Sequence, residues 1–207
     1  TLKLAKSEWA AGTPISFMNG ASSTIKYNDK STESIDLTGG SGYSNGNRYT
    51  VYYSSSDDNW KEYEYEKGVT LSEGEYKVAV GYDAAEEDQE LLGTAVLKVV
   101  SIDKLSAGQL SEGDNNVSVG TDEYDKAYYS FVMPFDGSVV IESDSPYCVY
   151  ESGDEGPVEV TGKLTGGSTY YVGLYNELST SKTNVRLSFI PKVTDMTVSY
   201  THLRAHE

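Results

Sequence analysis

The chain has 207 residues, 38% of them hydrophobic, with 20 Gly, 18 Tyr and 23% charged residues. That is apolar material for one large or two modest cores, and it excludes a disordered chain. Its 16 basic against 32 acidic side chains give a net charge of −16, which argues against nucleic-acid binding and against anionic membranes; no run of about 18 apolar residues is present to span a bilayer.

The opening Thr-Leu-Lys reads as an internal cut, so the lack of a visible signal peptide carries no information. In the first half, Pro14–Met18, Thr24–Tyr27 and Glu33–Leu37 are short apolar or alternating runs. Gly39-Gly40-Ser41-Gly42 and Asn45-Gly46-Asn47 are turn signals. Arg48 to Tyr53 is a strong β run. After a polar turn, Trp60 to Glu66 alternates with period two, placing Tyr63 and Tyr65 on one face and Glu62, Glu64 and Glu66 on the other. Tyr76, Val78, Val80 and Tyr82 alternate again, Asp83 to Glu90 forms an acidic hairpin loop, and Leu91 to Ile102 closes the half. About seven strands at this spacing predict a sandwich.

Asp103 to Gly113 reads as a hinge containing a single helical turn at Lys104–Gly108. In the second half, Asn116–Val119 and Lys126–Met133 precede a tight turn, Pro134-Phe135-Asp136-Gly137. Ser138–Glu142 is expected to return as the partner of a hairpin. Tyr147–Glu151, Pro157–Gly162, Thr169–Tyr175 and Thr183–Ile190 complete the strands.

One pattern occurs twice. Leu71 to Asp83 reads LSEGEYKVAVGYD, and Leu164 to Asn176 reads LTGGSTYYVGLYN. In Greek-key sandwiches a tyrosine near the start of a late strand turns its hydroxyl back onto the preceding backbone. Tyr76 and Tyr170 are placed for that corner, with Leu71 and Leu164 plugging the core beneath. The lone cysteine, Cys148, cannot form an internal disulfide and reads as a small hydrophobe on a strand.

The last ten residues, VSYTHLRAHE, resemble the translated end of a transposase-based sequencing adapter; the expectation from that resemblance is a metagenomic fragment truncated at its C-terminus. Both histidines, His202 and His206, lie in that stretch. Without it no histidine remains for a Ser-His-Asp or Cys-His catalyst, nor for a usual zinc site.

Tyr128-Tyr129-Ser130-Phe131-Val132-Met133-Pro134-Phe135-Asp136-Gly137, Leu164 to Tyr175 and Thr183–Ile190 resemble motifs of bacterial pre-peptidase C-terminal-type domains. The resemblance covers roughly Leu110 to Pro191. It implies a jelly-roll-like β-sandwich attached to secreted enzymes or surface proteins, with calcium bound by some members. Glu142-Ser143-Asp144 stands where a clean Asp-x-Asp pair would support such a metal site. The first half looks like an immunoglobulin- or fibronectin-III-like bacterial module. Low cysteine use with abundant Tyr, Thr and Ser resembles surface proteins of Gram-positive gut bacteria.

The expected fold is therefore all-β: two tandem antiparallel β-sandwiches, immunoglobulin-like over 1–103 and jelly-roll-like over 104–192, with 193–197 opening a truncated further module and 198–207 the adapter-like tail. The expected role is that of a non-catalytic spacer, accessory or adhesion module of a secreted or cell-wall-associated bacterial protein. Its partners would be neighbouring domains, a glycan or a host or cell-surface protein. The alternative is a carbohydrate-binding module of a secreted hydrolase, in which Trp60, Tyr63, Tyr65, Tyr52 and Tyr53 stack on sugar faces; the same rings serve equally as core or cross-strand pairs. A third reading is a small jelly-roll glycosidase, which needs two carboxylates about 5 to 9.5 Å apart across a cleft. No cofactor is expected, apart from calcium at the loop bearing Asp83, Glu86, Glu87 and Asp88, with a second acidic turn at Asp57, Asp58 and Asn59; both also read as solvated loop tips.

Overall fold

The computed structural model describes residues 1–56, 59–64, 68–82, 92–176 and 181–193. The chain is all-β, with one short helix among the described residues.

The first half contributes β1 (Leu2–Lys3), β2 (Glu8–Ala10), β3 (Pro14–Ile15), β4 (Ser22–Lys26), β5 (Thr32–Asp36), β6 (Ser41–Ser44), β7 (Asn47–Ser54), β8 (Lys61–Glu62), β9 (Val69–Thr70), β10 (Gly74–Tyr82) and β11 (Gly93–Val100). A three-stranded sheet β1-β4-β5 lies opposite a six-stranded sheet ordered β2-β11-β10-β7-β6, with β8 pairing to β7. A two-stranded β3-β9 ribbon stands beside them. Val51, Val78, Val80, Leu97 and Val99 point inward from the larger sheet and meet Leu2, Ile25 and Ile35 from the smaller one. Phe17, Met18 and Leu37 fill the space between them from connecting segments and are fully buried.

Local chemistry explains the joints. β6 and β7 are linked by Asn45-Gly46, both at positive φ, as a two-residue hairpin turn demands. The opening strands, which the periodicity leaves unassigned before Pro14, are structural: β2 pairs parallel to β11 and sinks Trp9 into the core. They are two or three residues long, too short to show a period.

After α1 (Ile102–Leu105), the second half contributes β12 (Gly113–Ser118), β13 (Ala127–Val132), β14 (Gly137–Ser143), β15 (Tyr147–Gly153), β16 (Gly156–Glu159), β17 (Thr169–Leu174) and β18 (Lys182–Pro191). They form sheets β12-β18-β14 and β13-β17-β15-β16. Phe131, Tyr170, Val172 and Leu174 from one meet Ile141, Val185 and Leu187 from the other.

The expected hairpin at Pro134–Gly137 is corrected here. β13 pairs with β17 and β14 with β18, so the turn carries the chain from one sheet to the other. A tight turn in sequence does not decide which strands pair, and here long-range partners claim both strands. Gly137 is required at the landing point, because a Cβ there would sit 2.0 Å from the Ile190 carbonyl oxygen.

Both tyrosine corners are present. The Tyr76 hydroxyl donates to the Ser72 carbonyl at 3.1 Å, and the Tyr170 hydroxyl accepts from the Thr165 N–H at 3.0 Å. Leu71 and Leu164 are buried beside them. Gly12 donates its N–H to the Leu71 carbonyl, and Leu164 exchanges two backbone bonds with Gly137. The repeated sequence is thus a repeated latch, one in each sandwich.

Candidate functional site

Successive residues of a strand face opposite sides of its sheet, and this separates the aromatic residues expected to act together. Tyr53 turns inward and meets Phe17 edge-on at 5.7 Å. Burial, and then the nearby Glu64 carboxylate, raise its pKa. Tyr63 joins the same core, 4.8 Å from Phe17 and only 4% exposed. The strip is therefore corrected: Tyr53 and Tyr63 are packing residues, since the apolar side of this strand pair belongs to the core. Tyr52 lies on the other face, paired in register with Ala79 on one side and Glu62 on the other. Arg48 approaches Glu62 at 4.0 Å beside it. Trp60 is half-buried just before β8, and Glu62 and Glu64 are exposed. Tyr65 lies outside the described residues, as do Asp83, Glu86, Glu87 and Asp88 of the expected calcium loop and Asp57 and Asp58 of the second turn. Among the described residues no group of three or more His, Cys, Asp or Glu side chains is placed to hold a metal ion.

A hydroxyl–carboxylate cluster ties the two sheets of the first half. Tyr27 donates to Glu33 at 2.8 Å, and Ser44 bonds both of them. The bonds from Ser44 and then Tyr27 lower the pKa of Glu33.

The most extensive feature beyond the two cores joins them. β17 beyond Thr169, and β13 at Tyr128 and Tyr129, are buried on both faces. Tyr129, Phe131, Tyr170 and Val172 face the second core, while Tyr128 and Tyr171 face the first half. With Tyr150, Ala10 and Ile102 they form a separate buried cluster, against which Leu105 and Cys148 pack. Tyr128 meets Tyr150 edge-on at 6.0 Å. Gly173 lies in register between Tyr128 and Cys148. It leaves room for the rings, since a Cβ there would be 3.0 Å from Tyr150 and 3.1 Å from Tyr128. Burial drives the Tyr128 pKa up to about 12, partly offset by a hydrogen bond with Thr13. Burial, then the Cys148 thiol, also raises that of Tyr150.

Polar contacts flank this cluster. Lys6 pairs with Asp125 at 2.5 Å while lying 4.3 Å over the Trp9 ring. Asn19 donates to Asp122 at 3.1 Å, and Thr121 donates to Asp125 at 3.0 Å. Gly12, at φ +70°, touches the tip of the β15–β16 hairpin; a Cβ on it would fall 2.5 Å from the Glu155 carbonyl oxygen. The connector has no slack. Ala107 and Leu110 donate N–H groups to β13, and Ser130 donates back to Gly108.

Sequence reasoning missed this junction. Its signal was the doublets Tyr128-Tyr129 and Tyr170-Tyr171, because adjacent aromatics in a strand with little polar alternation mean that both faces are covered. Comparison with protein-family models, with curated proteins and with solved structures finds no match for this chain.

Proposed function

We propose that this chain is a non-catalytic spacer and accessory segment of a larger secreted or surface-attached bacterial protein, holding its neighbours at a fixed separation and angle. The observation that carries this reading is the junction. A buried five-residue cluster, an ion pair and a connector paired along β13 link the halves, whereas flexibly tethered modules have few such contacts. The second half would be the pre-peptidase C-terminal-like module that its motifs resemble, and the first an immunoglobulin-like one. The large negative charge suits a solvated extracellular surface.

The test is antibody labelling of intact and permeabilised cells that express the native gene. Labelling of intact cells, or recovery of the chain from the medium, supports the reading. Labelling confined to permeabilised cells overturns it.

The carbohydrate-binding alternative loses Tyr63 to the core and, among the described residues, keeps Trp60 and Tyr52, both half-buried, Tyr52 paired in register with Glu62. A glycan array compared between the native chain and Tyr52→Ala tests it. A hit lost in the variant moves the assignment from spacer to lectin-like module.

A further inference from the structure

Two hydroxyls at one end of the second sandwich are buried without a partner. Ser145 and Thr183 are 4% and 5% exposed. Their side-chain oxygens are sealed from solvent and have no hydrogen-bond partner among the described residues. Leaving a buried hydroxyl unbonded is costly, and native proteins pair nearly all such groups with protein or with ordered water.

Strand register relates the two. β14 runs antiparallel to β18, with Ile141 opposite Leu187 and Ser143 opposite Val185. Inward and outward residues alternate along both segments. Ile141 and Ser145 are buried while Glu142 and Asp144 are exposed, and Thr183, Val185 and Leu187 are buried between exposed neighbours. Carried one inward position further, the same register sets Ser145 opposite Thr183. The ladder ends before that point, because the chain turns there. The Ser145 N–H donates to Ser143 Oγ at 3.1 Å, and the chain then crosses to β15 in the other sheet. The two segments therefore part where the hydroxyls oppose each other, and the hydroxyls do not bond directly. Val185 and Leu174, both fully buried, belong to the core at this end.

The donor set selects the occupant. A hydroxyl both donates and accepts, and a water molecule does the same, so one molecule can serve both. Ser143 adds a third hydroxyl beside them, and a buried water typically makes about three bonds. Calcium would need about six or more oxygens, carboxylates among them, and Asp144 lies on the exposed side of the segment.

We infer that an internal water molecule is held between Ser145 and Thr183 as a fixed part of the second sandwich, tying the crossing from β14 to β15 onto β18. Its place gives it a role. At this end Val119 donates to the Ser181 carbonyl and Gly120 to that of Leu174. These bonds seat the loop whose Asp122 and Asp125 meet the first half, so the bridge steadies the strand end that carries this loop. The inference goes beyond the spacer reading and does not depend on it.

The test is oxygen-17 magnetic relaxation dispersion of water in a solution of the full chain. It counts water molecules held for longer than the protein takes to tumble, and it is blind to exchanging hydroxyl protons. Recording over a range of temperatures keeps slow exchange from hiding the step. The native chain should show a dispersion step, and Ser145→Ala/Thr183→Val should lose the amplitude of about one water molecule. Ser188→Ala, on the exposed face of β18, should leave the amplitude unchanged. Thr183→Val alone, which keeps the shape of the side chain, gives the same reading if the double variant does not fold. A native chain with no step, or a step as large in the variant as in the native chain, would overturn the inference.

Discussion

Replacing Tyr170 with phenylalanine tests the latch that the repeated sequence encodes. The substitution removes one oxygen and leaves the ring stacked 5.8 Å from Phe131, in a side chain only 5% exposed. The loss is the bond that the hydroxyl accepts from the Thr165 N–H at 3.0 Å. Thr165 itself is exposed, so water reaches part of the orphaned donor and the cost stays near a net hydrogen bond, about 1 kcal/mol, rather than a full desolvation penalty. Tyr76→Phe removes the matching bond to Ser72 at a more open site, and should cost about half as much. Leu164→Ala, which empties buried space under the corner, should cost about 2–4 kcal/mol. Equilibrium urea unfolding, read by near-ultraviolet circular dichroism, ranks the three. The predicted order is Leu164→Ala, then Tyr170→Phe, then Tyr76→Phe, with unchanged m-values. A Tyr170→Phe variant as stable as the parent would refute the claim that the corner stabilises the sandwich.

Other perturbations address the junction and the cores. Lys6→Ala should loosen the joint by about 1 kcal/mol or less, since Lys6 is partly solvated; faster proteolysis of the 101–110 connector, with both cores intact, is the readout. Gly12→Ala should cost roughly 2 kcal/mol or more, because it adds a Cβ at positive φ against the hairpin backbone; native-state hydrogen exchange should show the loss at the junction first. The raised Tyr128 pKa favours the neutral phenol in the folded state. Its contribution is therefore complete below pH about 10 and is lost as pH rises toward about 12. An alkaline titration should show phenolate formation at Tyr128 together with separation of the halves, and Tyr128→Phe should remove that coupling. Tyr63→Ala should destabilise by about 3–5 kcal/mol and Tyr52→Ala by far less, as urea midpoints will show, because only Tyr63 is packed in the core.

The all-β character was legible because strand period, turn residues and spacing agreed at each level. Asn45-Gly46 announced a turn, which the structure shows to be a hairpin, and the Leu–Gly–Tyr repeat announced two corners whose bonds are both present. Pairing was less legible. Pro134–Gly137 looks like a hairpin turn, yet its flanking strands belong to different sheets, because pairing is decided by residues far along the chain. The aromatic strip failed for a local reason. Tyr52 and Tyr53 are neighbours in one strand, so they could never share a face. The junction was the largest omission. Ala10, Ile102, Tyr128, Tyr150 and Tyr171 are scattered along the chain and are neighbours only in the folded structure.

The spacer role requires the two sandwiches to behave as one body, and residual dipolar couplings measured across the whole chain test this most directly. A single alignment tensor fitting the amides of both halves, weakened in Gly12→Ala, is the predicted result. Two independent tensors for the native chain, with fits as good for each half alone as they are poor for the pair, would contradict the fixed joint and the spacer role built on it.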